Sequence, residues 1–418
     1  MRERKENRGI RMNVQTQVEE FYDVIIIGAG PVGGYLGWKF RELGHTVLIV
    51  EEHSEIGRPF QCAGLVNPGA MERVPMNDTI LTPIWGARIN SPYGTTVDIG
   101  SPERIRTWSV CRKKFDEGVV RLAVESGVDI ILDSKPTKLD IEHDFAEVSI
   151  NVAGETYQVR CALVCGCDGA HSWVRRTMKM GRPKEMMIGY QVEVTGYNGS
   201  SGQLDMFTGN DIAPGYFAWA IPSGETTRIG MWSRADLLSG KSCEMMVDSL
   251  MNSSIWKQRF ENCNVVGRFG GPVPSGLLKY PMRERVALFG DASGACKPTT
   301  GGGIGTGFDQ VDLLTPILSE CINHGDLGEV KMKSLVKILG PMRKKLNRAR
   351  ALRDAFLTEV TDEELERVFK VWSRPEVTQI INESGEIDNP IPLGLRLLRE
   401  VPEFRSLATK AASAVIWS

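Results

Sequence analysis

The chain has 418 residues, which at roughly 100–200 residues per domain predicts two or three domains with ample core. Its 50 Lys+Arg and 52 Asp+Glu nearly cancel, to a formal charge of −2; this excludes a basic nucleic-acid surface as the main interface, and average apolar content excludes a disordered or fibrous chain. Nine cysteines without the spacing of a disulfide framework fit a reduced, intracellular compartment, and no apolar run approaches the roughly 18 residues of a membrane span.

Residues 1–20 are polar and aperiodic, lack the apolar centre of a signal peptide, and read as a mobile tail in which Met12 is an equally good start. Order begins at 22–27, a continuous β-branched run expected of a strand buried on both faces. Gly28-Ala29-Gly30-Pro31-Val32-Gly33-Gly34 follows, then a helical stretch to about 43 and a second buried strand at 46–50 ending in Glu51-Glu52. In this G-x-G-x-x-G the first glycine permits the tight turn and the second lets a pyrophosphate approach the backbone. The third lets helix and strand close up. Glu51 stands where a carboxylate accepts ribose hydroxyls, and such an acid disfavours a 2′-phosphate, so FAD or NAD fits better than NADP.

A helix is expected over 116–126 and a strand over 128–132, followed by a meander at 135–141, 146–151 and 156–160 with turns at His143-Asp144 and Gly154-Glu155. A buried run occupies 162–166. Strand-like segments rich in Tyr, Trp and Val between 186 and 232 suggest an antiparallel sheet. A buried strand at 285–289 leads into a glycine-rich loop and a helix over 303–321, and beyond 331 helical patterns dominate, at 331–353 and 362–372. The pattern predicts an α/β fold. A Rossmann-like nucleotide-binding domain is assembled from discontinuous segments (21–84, 106–170 and 276–330), with an inserted antiparallel β-sheet domain (85–105 and 171–275) and a helical C-terminal region (331–418).

Cys161, Cys165 and Cys167 lie in and beside a buried strand and read as packing. The histidines form no H-x-x-x-H or H-E-x-x-H pair and the cysteines no cluster spacing, so no metal is expected. Arg343, Lys344, Lys345, Arg348, Arg350 and Arg353 form a basic run that is either a solvated face or a contact for lipid headgroups or an acidic electron-donor protein. The stretch 391–417 either lies against a bilayer or caps the site.

Two further motifs carry a resemblance. One is Leu163-Val164-Cys165-Gly166-Cys167-Asp168-Gly169-Ala170-His171-Ser172-Trp173-Val174-Arg175; the other is Gly290-Asp291-Ala292 with Pro298-Thr299-Thr300-Gly301-Gly302-Gly303-Ile304. With the first glycine loop they resemble the para-hydroxybenzoate-hydroxylase-type FAD superfamily. That resemblance implies FAD as cofactor. Gly28, Gly30, Pro31, Gly33, Glu51 and Glu52 would hold the ADP half, with Asp168 close by. Gly290 and Asp291 would meet the ribityl chain, and Pro298, Gly301, Gly302, Gly303 and Ile304 would present a helix N-terminus to the flavin ring.

Within that superfamily the chain is most similar to the geranylgeranyl reductases, particularly the archaeal lipid branch. The similarity rests on Glu55-Ile56-Gly57-Arg58-Pro59-Phe60-Gln61-Cys62-Ala63-Gly64-Leu65, Cys111-Arg112-Lys113-Lys114-Phe115-Asp116 and Phe217-Ala218-Trp219-Ala220-Ile221-Pro222. It adds Arg58, Cys62, Ala63 and Arg112 to the cofactor-binding set. The chain departs from the family pattern at Ile221, at Trp232 in place of a glycine, in the single alanine after Cys62, and at Gly294 where the hydroxylases carry histidine.

The resemblance implies a FAD-dependent reductase that saturates C=C bonds of isoprenoid chains of archaeal-type membrane glycerolipids by hydride transfer from reduced flavin. Cys62, Phe217 and Trp219 are the candidate catalytic residues: Cys62 either relays a proton or positions the alkene, and Phe217 and Trp219, two apart on a strand, either wall the channel or simply pack the sheet. The implied partners are an isoprenoid lipid, an electron donor (a ferredoxin-like protein, reduced nicotinamide or deazaflavin) and the inner face of the cell membrane as a peripheral surface, in the cytoplasm, with no nucleic acid. The competing readings are a flavin-dependent monooxygenase or halogenase of the same fold, and a flavin-binding protein without catalysis, the latter favoured by Trp232.

Overall fold

The computed structural model describes residues 19–59, 62–384 and 390–404. Most of the expected tail, including Met12, lies outside these residues, as do Phe60 and Gln61.

Phe21–Ile27 pairs in parallel with Val47–Val50 on one side and with Glu155–Gly166 on the other. The sheet runs Met282–Arg283, Val286–Leu288, Glu155–Gly166, Phe21–Ile27, Val47–Val50, Asp129–Ile131, with Ala146–Val152 and Ser134–Ile141 joined beside it. The unbroken apolar run of the first strand follows from burial on both faces: Val24 and Ile26 enter the core under the helices, while Ile25 and Ile27 enter the core against the meander. The expected strands at 156–160 and 162–166 are one twelve-residue strand, Glu155–Gly166. Its outer end is exposed from Glu155 to Gln158, burial begins at Val159, and its inner half, from Cys161 on, is enclosed between other strands. Composition changes where the strand's surroundings change, although the backbone does not break.

Gly34 and Gly37 let the Pro31–Glu42 helix approach its neighbours, since a Cβ on either would stand 2.9 Å from Val120 or 3.0 Å from Ile49. The second sheet runs Asn264–Ser275, Glu185–Thr195, Thr226–Arg234, Ala218–Ser223, Gln203–Phe207, Gly86–Asn90, Thr96–Gly100. It is antiparallel except where Gln203–Phe207 pairs in parallel with Gly86–Asn90. One face buries Val192, Ile229 and Met231 against the Cys243–Met251 helix and Phe260. The opposite face looks toward the glycine motifs.

The helical segment expected at 331–353 is interrupted: Glu329–Leu335, a 3₁₀ turn at Val336–Leu339, then Gly340–Arg353. Pro341 sits in the first turn of the last piece, where its missing N–H costs nothing, so a new helix starts there. Asp362–Trp372 opens with a capping box between Thr361 and Glu364 and packs Leu365 and Phe369 against Val97 of the sheet edge. Beyond it, Leu397, Val401 and Phe404 pack against Val377, Ile380 and Ile381. The described part of the expected bilayer-facing stretch therefore turns apolar side chains into the protein; 405–418 lie outside the described residues. No helix among the described residues is long and apolar enough to cross a membrane.

Candidate flavin and substrate site

The first glycine loop is built around two close approaches. Gly28 has φ +103°, and a Cβ there would lie 2.5 Å from the Cys167 carbonyl oxygen; a Cβ on Gly33 would overlap the Gly28 carbonyl. Gly30 is different, because no protein atom lies within 4 Å of where its Cβ would be. Pro31 opens the helix and no side chain caps it, so its first N–H groups face that open space. Glu51 accepts the Ala29 N–H at 2.7 Å and the His53 N–H at 3.0 Å, with His53 Nδ1 2.6 Å away. The acid thus shapes the glycine loop as well as standing at its edge, and His53 is a partner the motif did not announce. Glu52 is half exposed near Lys135, and Arg58 is exposed near Glu55.

The three motifs are bolted together by side chains. Val32 of the first loop fills the spaces above Gly290 and Gly307, which no larger residue could share. Arg175, closing the second motif, donates to the Ala170 carbonyl at 2.6 Å and to the Ala292 carbonyl of the third motif at 2.8 Å. Fully buried Gln310 accepts the Gly290 N–H at 3.0 Å and donates to the Leu288 carbonyl at 2.8 Å. Asp168 accepts the Val174 N–H with one oxygen, while its other oxygen, Oδ1, is buried without a partner. Burial raises the Asp168 carboxyl above its usual range. Asp291 accepts the Cys296 thiol at 2.9 Å; burial pushes that thiol well up, so it stays protonated and donates. A Cβ on Gly303 would stand 2.8 Å from Asp291 Oδ1, so only glycine fits at the start of Ile304–Asn323, a helix that again has no side-chain cap. An unpartnered acid oxygen, an open glycine and two uncapped helix N-termini fit a dinucleotide with a flavin at the third motif.

The second sheet supplies the other wall. In register across three strands, Gln191 pairs with Gly230 and Gly230 with Trp219. A Cβ on Gly230 would lie 2.5 Å from Gln191 and 2.7 Å from the Trp219 ring, so only glycine leaves room for both side chains here. Phe217 stands 6.4 Å from Trp219 and 6.2 Å from Trp232, both edge-on. Trp232 is buried beside Tyr216, and a Cβ on Gly301 would touch its ring at 3.3 Å. The departure from glycine at this position is thus accommodated as part of an aromatic wall facing the flavin loop.

Cys62 is held by the same face. Gln191 donates to the Cys62 carbonyl at 3.0 Å, and Arg228 donates to the Ala63 carbonyl at 3.0 Å and the Val110 carbonyl at 3.2 Å. Gly64, at φ +79°, is the residue over which the Arg228 guanidinium passes. The Cys62 sulfur takes the Gly64 N–H at 3.4 Å and a hydrogen bond from Arg112. Arg112 also grips Asp116 with two bonds, at 3.0 and 2.9 Å. Although burial works against its charge, Asp116 and Cys62 keep Arg112 firmly cationic. Gln191 and Arg228 were not legible as site residues. The one available signal was parity: Glu185, Gln191 and Glu193 share a strand face with Met187 and Gly189, a row too polar for simple core packing.

The basic run of the C-terminal region is not a uniformly solvated face. Arg343 donates to the Leu278 carbonyl at 2.7 Å, and Arg350 and Arg353 are buried on Glu185. Lys344 and Lys345 remain exposed.

Comparison with known proteins supports the flavin cofactor. Residues 98–228 match the family described as FAD binding domain. The chain is 31% identical over 330 residues to digeranylgeranylglycerophospholipid reductase of Methanosarcina acetivorans, covering 76% of this chain and 80% of the relative. It is 28% identical to digeranylgeranylglycerophospholipid reductase 3 of Methanosphaera stadtmanae, over 87% of this chain and 93% of the relative. In fold it is similar to a geranylgeranyl bacteriochlorophyll reductase-like protein of Thermoplasma acidophilum, with a TM-score of 0.81 at 21% identity, covering 93% of this chain and 99% of that one. FAD is the cofactor, and the chain belongs to the digeranylgeranylglycerophospholipid reductase family.

Proposed function

We propose that the protein reduces C=C bonds of geranylgeranyl chains on archaeal-type membrane glycerolipids. Family membership supports this, and one observation carries it: the Phe217–Trp219–Trp232 wall and the Cys62 loop share a sheet face that meets the flavin loop at Gly301. FAD, once reduced, supplies hydride. The chain's own residues do the rest. Phe217 and Trp219 lay an apolar, π-rich surface that excludes water and steadies positive character on the alkene carbon. Gln191 and Arg228 fix the Cys62 backbone, and the Cys62 thiol hands on the proton that completes saturation. Gly28, Gly30, Pro31, Gly33, Glu51 and Asp168 hold the ADP half; Asp291 and Gly301 to Ile304 hold the flavin end. The lipid reaches the protein from the inner face of the membrane, where the protein docks peripherally in the cytoplasm, and a ferredoxin-like protein, reduced nicotinamide or deazaflavin delivers electrons.

The test is anaerobic. Dithionite-reduced protein is mixed with a digeranylgeranyl glycerolipid, and flavin reoxidation and lipid mass are followed together. Reoxidation with one added hydrogen pair per bond is expected, and Cys62→Ser should slow it about 10²-fold or more. Flavin that stays reduced over unchanged lipid would remove the assignment; full turnover by Cys62→Ser would remove the thiol from the mechanism.

A further inference from the structure

The buried arginine of the C-terminal helix reaches into the flavin loop. Arg353, the last residue of Gly340–Arg353, has a side chain only 1% exposed. Its guanidinium makes five hydrogen bonds, matching its five N–H groups. Two go to Glu185, at 2.7 and 3.1 Å, and two to Asp354, at 2.6 and 3.0 Å. The fifth goes to the Pro298 carbonyl at 3.0 Å. One turn earlier, Arg350 donates to Glu185 at 2.9 Å and to Ser275 Oγ at 3.1 Å, and Ser275 Oγ in turn donates to the Cys296 carbonyl at 3.2 Å. Arg353 also lies 4.7 Å from the Tyr216 ring centroid, Tyr216 lies 4.9 Å from Trp232, and Trp232 faces Gly301. The loop so gripped is closed on itself by Lys297 N–H to the Gly302 carbonyl at 3.1 Å and Gly301 N–H to the Lys297 carbonyl at 2.9 Å.

We infer that Arg353 is a positioning residue for the flavin end of FAD: it fixes the Pro298 carbonyl directly and Gly301 through Tyr216 and Trp232. The loop's residues 301–303 lead into the uncapped N-terminus of Ile304–Asn323, so a shift of the loop re-aims the donors that the ring meets. The fork of Arg353 holds Glu185, Asp354 and Pro298 at once through three nitrogens. A lysine ammonium has three donors on one nitrogen and cannot make all five bonds, so the carboxylates compete with the Pro298 carbonyl for it. The inference rests on FAD as the cofactor and not on the identity of the lipid.

The experiment compares wild type, Arg353→Lys and Leu346→Ala. The last removes a buried core side chain from the same helix, two turns before Arg353. Each is purified, its thermal midpoint measured, FAD stripped, and FAD affinity and the visible flavin circular dichroism recorded without substrate. Arg353→Lys should weaken FAD by about tenfold and alter the flavin bands, while Leu346→Ala, at a comparable loss of thermal stability, leaves both near wild type. FAD affinity and bands within about twofold of wild type in Arg353→Lys, or an equal loss in Leu346→Ala, would overturn the inference. Should Arg353→Lys not fold, Tyr216→Leu is read by the same criteria, since it removes the ring that lies between Arg353 and Trp232. Lipid turnover is not part of the readout, so a wrong substrate assignment would leave these results untouched.

Discussion

At the scale of single residues, the glycines divide by what surrounds them. Gly33 is packed against the Gly28 carbonyl, and Gly30 faces open space, which we propose FAD fills. Gly33→Ala must push helix and strand apart and should cost about 2 kcal/mol or more of stability. Gly30→Ala, at φ −70°, should fold within about 0.5 kcal/mol of wild type yet lose FAD affinity by about tenfold or more. Urea unfolding of the apoprotein beside FAD titration separates the two; equal behaviour of the variants would mean that the open side is not the cofactor side. The motif reading named both glycines but could not distinguish them, because the difference lies in atoms from Cys167 and Gly28 rather than in the spacing. The same holds for Glu51. Its place at the strand end was legible, whereas its bonds to Ala29 and His53 depend on how the loop turns.

At the scale of elements, the inner row of Glu185–Thr195 and Thr226–Arg234 does more than pack. Gln191 and Arg228 hold the Cys62 loop, which belongs to a segment more than a hundred residues away in sequence. Arg228→Met would leave the Ala63 and Val110 carbonyls without their buried donor, at a cost of about 2–4 kcal/mol. A lowered urea midpoint with slower lipid-dependent flavin reoxidation is expected, and Gln191→Leu should show the milder form of both. Unchanged stability in Arg228→Met would mean that water readily replaces the guanidinium. Elements themselves were largely legible: hydrophobic period found the parallel strands, the helix after each glycine motif and Asp362–Trp372. Boundaries failed where the physical environment changes without a break in the chain, as along Glu155–Gly166, or where one proline restarts a helix, as at Pro341.

At the scale of the molecule, one buried carboxylate, Glu185, clasps the Gly340–Arg353 helix to the second sheet. Burial alone would raise the Glu185 carboxyl, but hydrogen bonds and charge from Arg353 and Arg350 outweigh it and hold the group below the usual range. A depressed folded value means that the unfolded chain takes up the proton first. The clasp is therefore at full strength above the unfolded glutamate value of about 4.3 and weakens as pH falls through the lower folded value. Thermal midpoints should drop more steeply for wild type than for Glu185→Gln between about pH 6 and pH 3, the variant having already lost the clasp at neutral pH. Parallel pH profiles would assign acid sensitivity elsewhere. The sequence by itself determined dinucleotide binding, the fold class and the order of the three motifs, with FAD implied by their resemblance to a flavin family, because a pyrophosphate loop, a buried parallel strand and a helix start are each local demands on a few consecutive residues. Only the tertiary structure decided which side chains join those motifs: Arg175 to Ala292, Val32 to Gly290, Arg228 to Ala63 and Arg353 to Pro298. Such contacts depend on the angle at which distant segments meet, and no local period encodes that angle.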